Sequence, residues 1–299
     1  MGKTKHWIKA ARLRTLPLSI SGIVVGSFYA FQTHWSWLIF SLAILTTLLF
    51  QILSNFANDL GDSMKGADNS NRIGPTRAVQ SGIISFKEMR NAVLLVSLLS
   101  FVSAGLLIYF GTRNMSSSIV NFYIILAVFC VFAAITYTIG KKAYGYNGLG
   151  DLMVFIFFGC VSVLGVYPLF ANGLNYELIP AAITIGFLSV AVLNLNNMRD
   201  QENDRTVGKN TLVVRLGDKN ARFYHYLLVC IALIAWCSFI SLSKNYLNWI
   251  SLLPFIILIK HLVFVQKAKE FKAFDSQLKI VALSTFAISL IYAITSLCA

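Results

Sequence analysis

Three aspartates follow directly on an apolar run in the stretch Asn55 to Arg77, NFANDLGDSMKGADNSNRIGPTR. Asn58 and Asp62 stand four residues apart and Asp59 and Asp62 three apart, so a helix continuing through them would crowd their oxygens at one end. A second stretch, NNMRDQENDRTVGK, puts Asn196, Asp200 and Asp204 at i, i+4 and i+8, along one helical face. In the first stretch Gly66 takes the third place of that spacing, and Asp68 is the nearest substitute. Hard divalent ions such as Mg2+ are held by a few carboxylate and carbonyl oxygens and complete their shell with water and substrate phosphates. Two such faces at one membrane level make a pair of Mg2+ sites. The alternative is a solvated loop whose acids pair with neighbouring Lys and Arg.

Charge narrows the ligand. Four carboxylates and two divalent ions roughly cancel, and a diphosphate bound there needs cations as well. Lys65, Arg72, Arg77, Lys141, Arg199, Arg205 and Lys209 are available on the same side, Arg being suited to bidentate phosphate contact, although each also serves as a topology signal. The segment from Tyr137 to Lys141 sets a phenol and an ammonium one turn apart at a span end. The following GYNGLGD combines three glycines with Asn147 and Asp151 and reads as a flexible turn.

The elements that must position these groups are membrane helices. Of 299 residues 57% are hydrophobic and 12% charged, against roughly 25% charged in soluble domains. After a basic N-terminus, Pro17 opens an apolar run to Phe31, longer than a signal-peptide core and read as a retained first span. Its Ser19, Ser21, Gly22, Gly26 and Ser27 form a small-residue face suited to close helix approach. Further runs of spanning length lie at about 36–57, 91–110, 119–139, 150–171, 177–197, 223–242, 247–265 and 279–298. The expectation is an all-α membrane protein of nine transmembrane helices forming a single domain over 1–299. Pro168, Pro180 and Pro254 are expected to kink spans.

With the N-terminus cytoplasmic, all Lys and Arg but Arg113 and Lys244 fall in inside segments, which sets the orientation and puts the C-terminus outside. The inner loops, about 58–90, 139–150 and 198–222, then carry the chemistry on the cytoplasmic side. The +13 net charge follows from this topology and not from a nucleic-acid patch. The five cysteines sit in apolar runs without CxxC pairing and read as small buried hydrophobes. The four histidines are scattered, and neither HExxH nor a Ser-His-Asp pattern occurs.

Over nearly its whole length the chain resembles the UbiA-type superfamily of intramembrane prenyltransferases, with nine helices and two aspartate-rich motifs. Asn58, Asp62, Asp200 and Asp204 match motif positions, and Tyr137 to Lys141 matches a YxxxK element. ARLRTLP (11–17), NDLGDSMKGAD (58–68), GPTRAVQSG (74–82), GYNGLGD (145–151) and NNMRDQENDRTVGKNTLVVRLG (196–217) look most like the menaquinone branch. The resemblance implies that Mg2+, two ions, bridges a polyprenyl diphosphate to Asp62, Asp200 and Asp204, with Asn58, Asp59 and Asn196 assisting. It implies 1,4-dihydroxy-2-naphthoate as the acceptor, prenylated with loss of CO2, its carboxylate held by Arg72 or Arg77, and Lys141 beside diphosphate or ring. Metal binding by Asp68 is an open expectation. Rival expectations are another acceptor (4-hydroxybenzoate, homogentisate or a haem vinyl group) and, from a different class, a cation-coupled transporter.

Overall fold

A computed structural model describes residues 2–31, 34–70, 72–171 and 173–298, without the side chain of Arg14. Gln32, Thr33 and Asn172, in two of the short expected outside connections, lie outside the described residues.

The described residues are helical, without strands. In chain order the helices are α1 (Lys3–Ala10), α2 (Leu16–Tyr29), α3 (Trp37–Met64), α4 (Phe86–Gly111), α5 (Ser117–Thr136), α6 (Gly150–Leu169), α7 (Ile179–Thr206), α8 (Leu212–Leu242), α9 (Leu253–Lys267) and α10 (Phe274–Leu297). Eight of the helical segments are long and apolar enough to cross a membrane. The expected first span, α2, has only 14 residues, about 21 Å at 1.5 Å per residue, against about 30 Å of hydrocarbon.

The acid windows lie on helices because the apolar spans run further than hydropathy marks. α3 continues through Asn58, Asp59 and Asp62, and α7 through Asn196, Asp200 and Asp204. The expected proline kinks are not found. Pro180 and Pro254 occupy the first turn of α7 and α9, and Pro168 the start of a short 3-10 turn ending α6, where a missing N–H costs nothing. Irregular backbone lies instead in a π-helical stretch, Phe155–Leu164, within α6, and at Gly217, where φ +74° breaks α8 near its start.

One group of helices, α2 and α6 to α10, shares a core around Ile185, Leu188, Trp236 and Ile288. Another, α3 to α5, packs around Leu53, Met89 and Val131. The small-residue face of α2 allows it to lie directly on α6: a Cβ on Gly26 would stand 2.4 Å from the carbonyl oxygen of Val163. The cysteines divide differently from expectation: Cys130 is buried, but Cys230 is exposed on α8, where an apolar thiol meets lipid at no cost, and Cys298 is exposed just past the end of α10. Two of the scattered histidines meet. His225 Nε2 and His261 Nε2 are 2.8 Å apart, flanked by Asn194 Oδ1 at 3.1 Å and Gln277 Oε1 at 2.7 Å, a polar line joining α7, α8, α9 and α10.

Candidate active site

The two acid windows come together at one end of the bundle. Asp62, 1% exposed, is 2.6 Å from Arg77 Nη1 and 4.0 Å from Lys209 Nζ, and accepts from Tyr146 Oη at 2.7 Å. Lys209 also lies 3.7 Å from Asp204 Oδ1, so one ammonium joins α3 to the end of α7. Asp200 is clasped by its neighbour Arg199 at 2.7 and 3.0 Å, accepts from the Gly74 N–H at 3.2 Å, and lies 3.5 Å from Arg72. Arg72 reaches back to Asp68 at 3.7 Å. Arg199 is itself buried and fixed by Asn196 Oδ1 and Asp275.

The segment between α3 and α4 folds over these acids, and Asp59 is its anchor. The Asp59 carboxylate accepts from the backbone N–H of Ala78 at 3.1 Å and of Val79 at 3.4 Å. Arg77 donates to the Asn58 carbonyl at 2.8 Å. Its Nε lies 3.2 Å from Asp68 Oδ1 but off the hydrogen-bonding direction, so both Asp68 oxygens are buried without a hydrogen bond. Burial therefore pushes the Asp68 carboxyl up to about 6, with Arg77 and Arg72 opposing. For Arg77 burial acts downward, but Asp62, Asp68 and Asp59 outweigh it and hold the guanidinium firmly charged.

Some expected residues stand elsewhere. Lys141 and Arg205 are exposed and do not line the cavity described below. α5 ends at Thr136 and the chain turns through Gly140 at φ +103°, so the helical turn assumed between Tyr137 and Lys141 does not exist. Asn147 is turned onto the Ala143 carbonyl at 2.9 Å, closing its own turn. Lys65 lies over the Tyr146 ring at 4.0 Å, a cation–π contact. Tyr137 does line the cavity, edge-on to Tyr144.

Sequence reasoning missed Tyr146, Asp275 and Arg12. Tyr146 lay in the GYNGLGD stretch, where the glycines drew attention to the turn and away from the phenol. Asp275 had no local signal, being 76 residues from its partner Arg199. Arg12 sits between α1 and α2 with φ +52°, in the left-handed region, a conformation an L-residue holds only under tertiary constraint. Among the described residues it makes no ion pair, and it lines the cavity with Asp59, Arg72 and Arg77. Burial and the nearby Arg77 lower its pKa to about 9.

The cavity has a volume of about 680 Å3. It starts at Arg12, Asp59 and Asp62 and descends between α2, α3 and α7 past Phe50, Ser162 and Leu193 to Tyr123 and Leu169 near the other end of the bundle. A charged mouth above an apolar shaft matches a molecule with an anionic head and a hydrocarbon tail.

Residues 19–293 match the UbiA prenyltransferase family. The chain belongs to that family. A UbiA relative from Haemophilus influenzae, a 1,4-dihydroxy-2-naphthoate octaprenyltransferase, is 40% identical over 288 residues, covering 94% of this chain and 93% of its own. The Escherichia coli protein of the same name is 41% identical over 272 residues, covering 90% and 88%. Among solved UbiA structures, a homologue from Aeropyrum pernix superposes with a TM-score of 0.69 over 95% of this chain and 97% of its own at 15% identity. One from Archaeoglobus fulgidus, bound to GPP and Mg2+, gives 0.67 over 96% and 99%, also at 15% identity.

Mg2+ takes oxygen ligands. Among the described residues no three of His, Cys, Asp or Glu converge closely enough to hold an ion by themselves. The donor set nevertheless fits Mg2+ shared with a phosphate: Asp68 Oδ1 and Oδ2 and Asp204 Oδ2 are buried carboxylate oxygens without a hydrogen bond, and Mg2+ takes few protein ligands when phosphates supply the rest.

Proposed function

We propose that this protein transfers a polyprenyl group from polyprenyl diphosphate to 1,4-dihydroxy-2-naphthoate, releasing diphosphate and CO2 and giving a demethylmenaquinol on the way to menaquinone. The observation that carries the reading is the continuity between the acid and arginine cluster and the apolar shaft, at Asp62 and Arg77. The names of the bacterial relatives support the acceptor.

In this reading Asp62, Asp68, Asp200 and Asp204, with Asn58 and Asn196 beside them, hold Mg2+, which supplies electrostatic stabilisation to the departing diphosphate. Arg72, Arg77 and Lys209 balance these carboxylates in the structure described and turn to phosphate oxygens when the donor arrives. Asp59, tied to Ala78 and Val79, keeps the segment after α3 roofed over the mouth and water away from the allylic cation. Arg12 takes the acceptor's carboxylate, since Arg72 and Arg77 are already paired with acids. The bond from the prenyl C1 to oxygen breaks with its electron pair on diphosphate. A bond forms from C1 to the carboxylate-bearing ring carbon, and CO2 leaves that carbon as the ring regains aromaticity. The inward-facing Lys and Arg pattern supports nine membrane passages, α2 included, with the mouth on the cytoplasmic side of the inner membrane.

Purified protein in detergent, given Mg2+, a prenyl diphosphate and carboxyl-labelled naphthoate, should release labelled CO2 in step with prenylated product measured by mass spectrometry. Prenylation of 4-hydroxybenzoate with none of the naphthoate would reject the acceptor.

A further inference from the structure

The shaft below the acid cluster has a definite far end. α3 borders it at every turn from Asp62 to Ala43, and the fifteen helical steps from Ala43 to Asn58 measure about 22 Å. At the level of Ala43 the shaft meets Ile108, Tyr123 and Leu169, all buried. Tyr123 is pinned across this end by donating from Oη to the Gly165 carbonyl at 2.8 Å. Leu169 leans over Gly111, where a Cβ would already stand 3.0 Å from Cδ2 of the leucine. Beyond them Trp35 stacks on Phe170 at 5.4 Å and lies 4.9 Å from Phe28 and 5.3 Å from Phe40. Aromatic rings thus fill the space that a longer straight tail would enter. About one turn nearer the acids, Thr46 and Ser103 are hydrogen-bonded at 2.7 Å, and the adjacent Ala104 contributes to the shaft wall.

We propose that the end wall of Ile108, Tyr123 and Leu169 is a chain-length gauge that admits about four to five isoprene units of the donor in a straight course. This inference rests on the polyprenyl-transfer reading. Each unit adds four chain carbons, about 6 Å of contour at ~1.5 Å per bond and about 5 Å end to end once the bond angles are projected on the axis, so the shaft between Asn58 and Ala43 is filled at that count. Units beyond it turn out toward lipid. Lipid chains are as apolar as the shaft, so these units gain nothing from the protein, and discrimination arises from how well the enclosed part packs against the wall.

The test is competition. Donors of two, four and eight isoprene units, equimolar in one detergent micelle population with naphthoate and Mg2+, are read by mass spectrometry as product ratios relative to the unsubstituted protein, which removes differences in micelle partitioning. Ala104→Phe raises the wall and should shift the four-to-two product ratio about tenfold toward the shorter chain, equivalent to ~1.4 kcal/mol. Leu169→Ala lowers the wall and should shift the eight-to-four ratio in the opposite sense. Ratios that neither substitution moves, or that both move in one direction, overturn the gauge. An unsubstituted protein that makes no product from any donor overturns the transferase reading instead.

Discussion

The guanidinium of Arg77 lies 2.6 Å from the carboxylate of Asp62, and the same side chain donates to the Asn58 carbonyl one helical turn away. One arginine from the segment after α3 therefore closes that segment onto the end of the helix it left.

Arg77→Ala removes the nearest cation of a buried Asp62, which keeps only Lys209 at 4.0 Å and the Tyr146 hydroxyl, and leaves Asp68 with Arg72 alone. Breaking a buried pair from one side typically costs about 3–5 kcal/mol. The thermal midpoint in detergent should fall by several degrees, and the KM for the prenyl diphosphate should rise. Arg77→Lys should recover part of the midpoint but little of the KM, because one ammonium cannot stand both where Nη1 meets Asp62 and the Asn58 carbonyl and where Nε faces Asp68. An Arg77→Ala protein with both quantities unchanged would show that the closure is incidental.

Asp62→Asn keeps the shape and the Tyr146 contact while removing the charge. Turnover in Mg2+-supplemented membranes should drop by at least about a hundredfold, the scale of losing one electrostatic contact to a transition state, with normal membrane insertion on immunoblot. Near-normal turnover in that variant would remove Asp62 from the metal and diphosphate assignment.

Asp68 is expected to make stability depend on pH. Its folded pKa of about 6 lies above the ordinary carboxylate value of 3.8, so the fold favours the protonated form. The penalty is absent below the unfolded value, grows as pH rises from about 4 to 6, and is fully present above that; it corresponds to ~3 kcal/mol at 1.36 kcal/mol per unit. Asp68→Asn, a neutral mimic, should melt higher than the parent at pH 8, and the gap should close between pH 6 and 4. A gap that is constant with pH would mean that the carboxyl is ionised throughout.

Arg12 faces the cavity without an ion pair among the described residues, whereas Arg72 and Arg77 are engaged. Arg12→Ala should raise the KM for the naphthoate about tenfold or more, as expected on losing a charge-assisted hydrogen bond, and leave the KM for the prenyl diphosphate within about twofold. The reverse split, measured by steady-state kinetics, would assign Arg12 to the diphosphate.

The His225 and His261 pair holds four helices together away from the cavity. His225→Leu strands His261 Nε2 and Asn194 Oδ1 without partners, at ~1–3 kcal/mol each. It should lower the melting midpoint yet leave the product chain-length ratios unchanged, which separates a bundle-wide effect from an effect on the shaft wall.

Much of this was legible in the sequence, for reasons of distance along the chain. Apolar runs mark helices because lipid forces every backbone group to be satisfied within its own segment. The spacing of Asn196, Asp200 and Asp204 could be read as one face because a helix repeats locally. The small-residue face of α2 likewise announced a close approach, although not that α6 would be the partner. Where the local rule assumed a helix that the chain then left, as between Tyr137 and Lys141, the reading failed.

The tertiary structure alone decided which acid meets which base. Asp62 and Lys209, 4.0 Å apart, come from segments separated by about half of the chain, and no spacing rule reaches that far. Packing likewise tied the Asp59 carboxylate to the segment above the mouth, lodged Tyr146 against Asp62, and set Tyr123 and Leu169 at the far end of the shaft. Residue types and short spacings determined that this protein concentrates carboxylates and cations at the end of membrane helices. The distribution of those charges among partners, and the length of the apolar space beneath them, depend on contacts between elements remote in sequence, whose energies are set only when the bundle is packed.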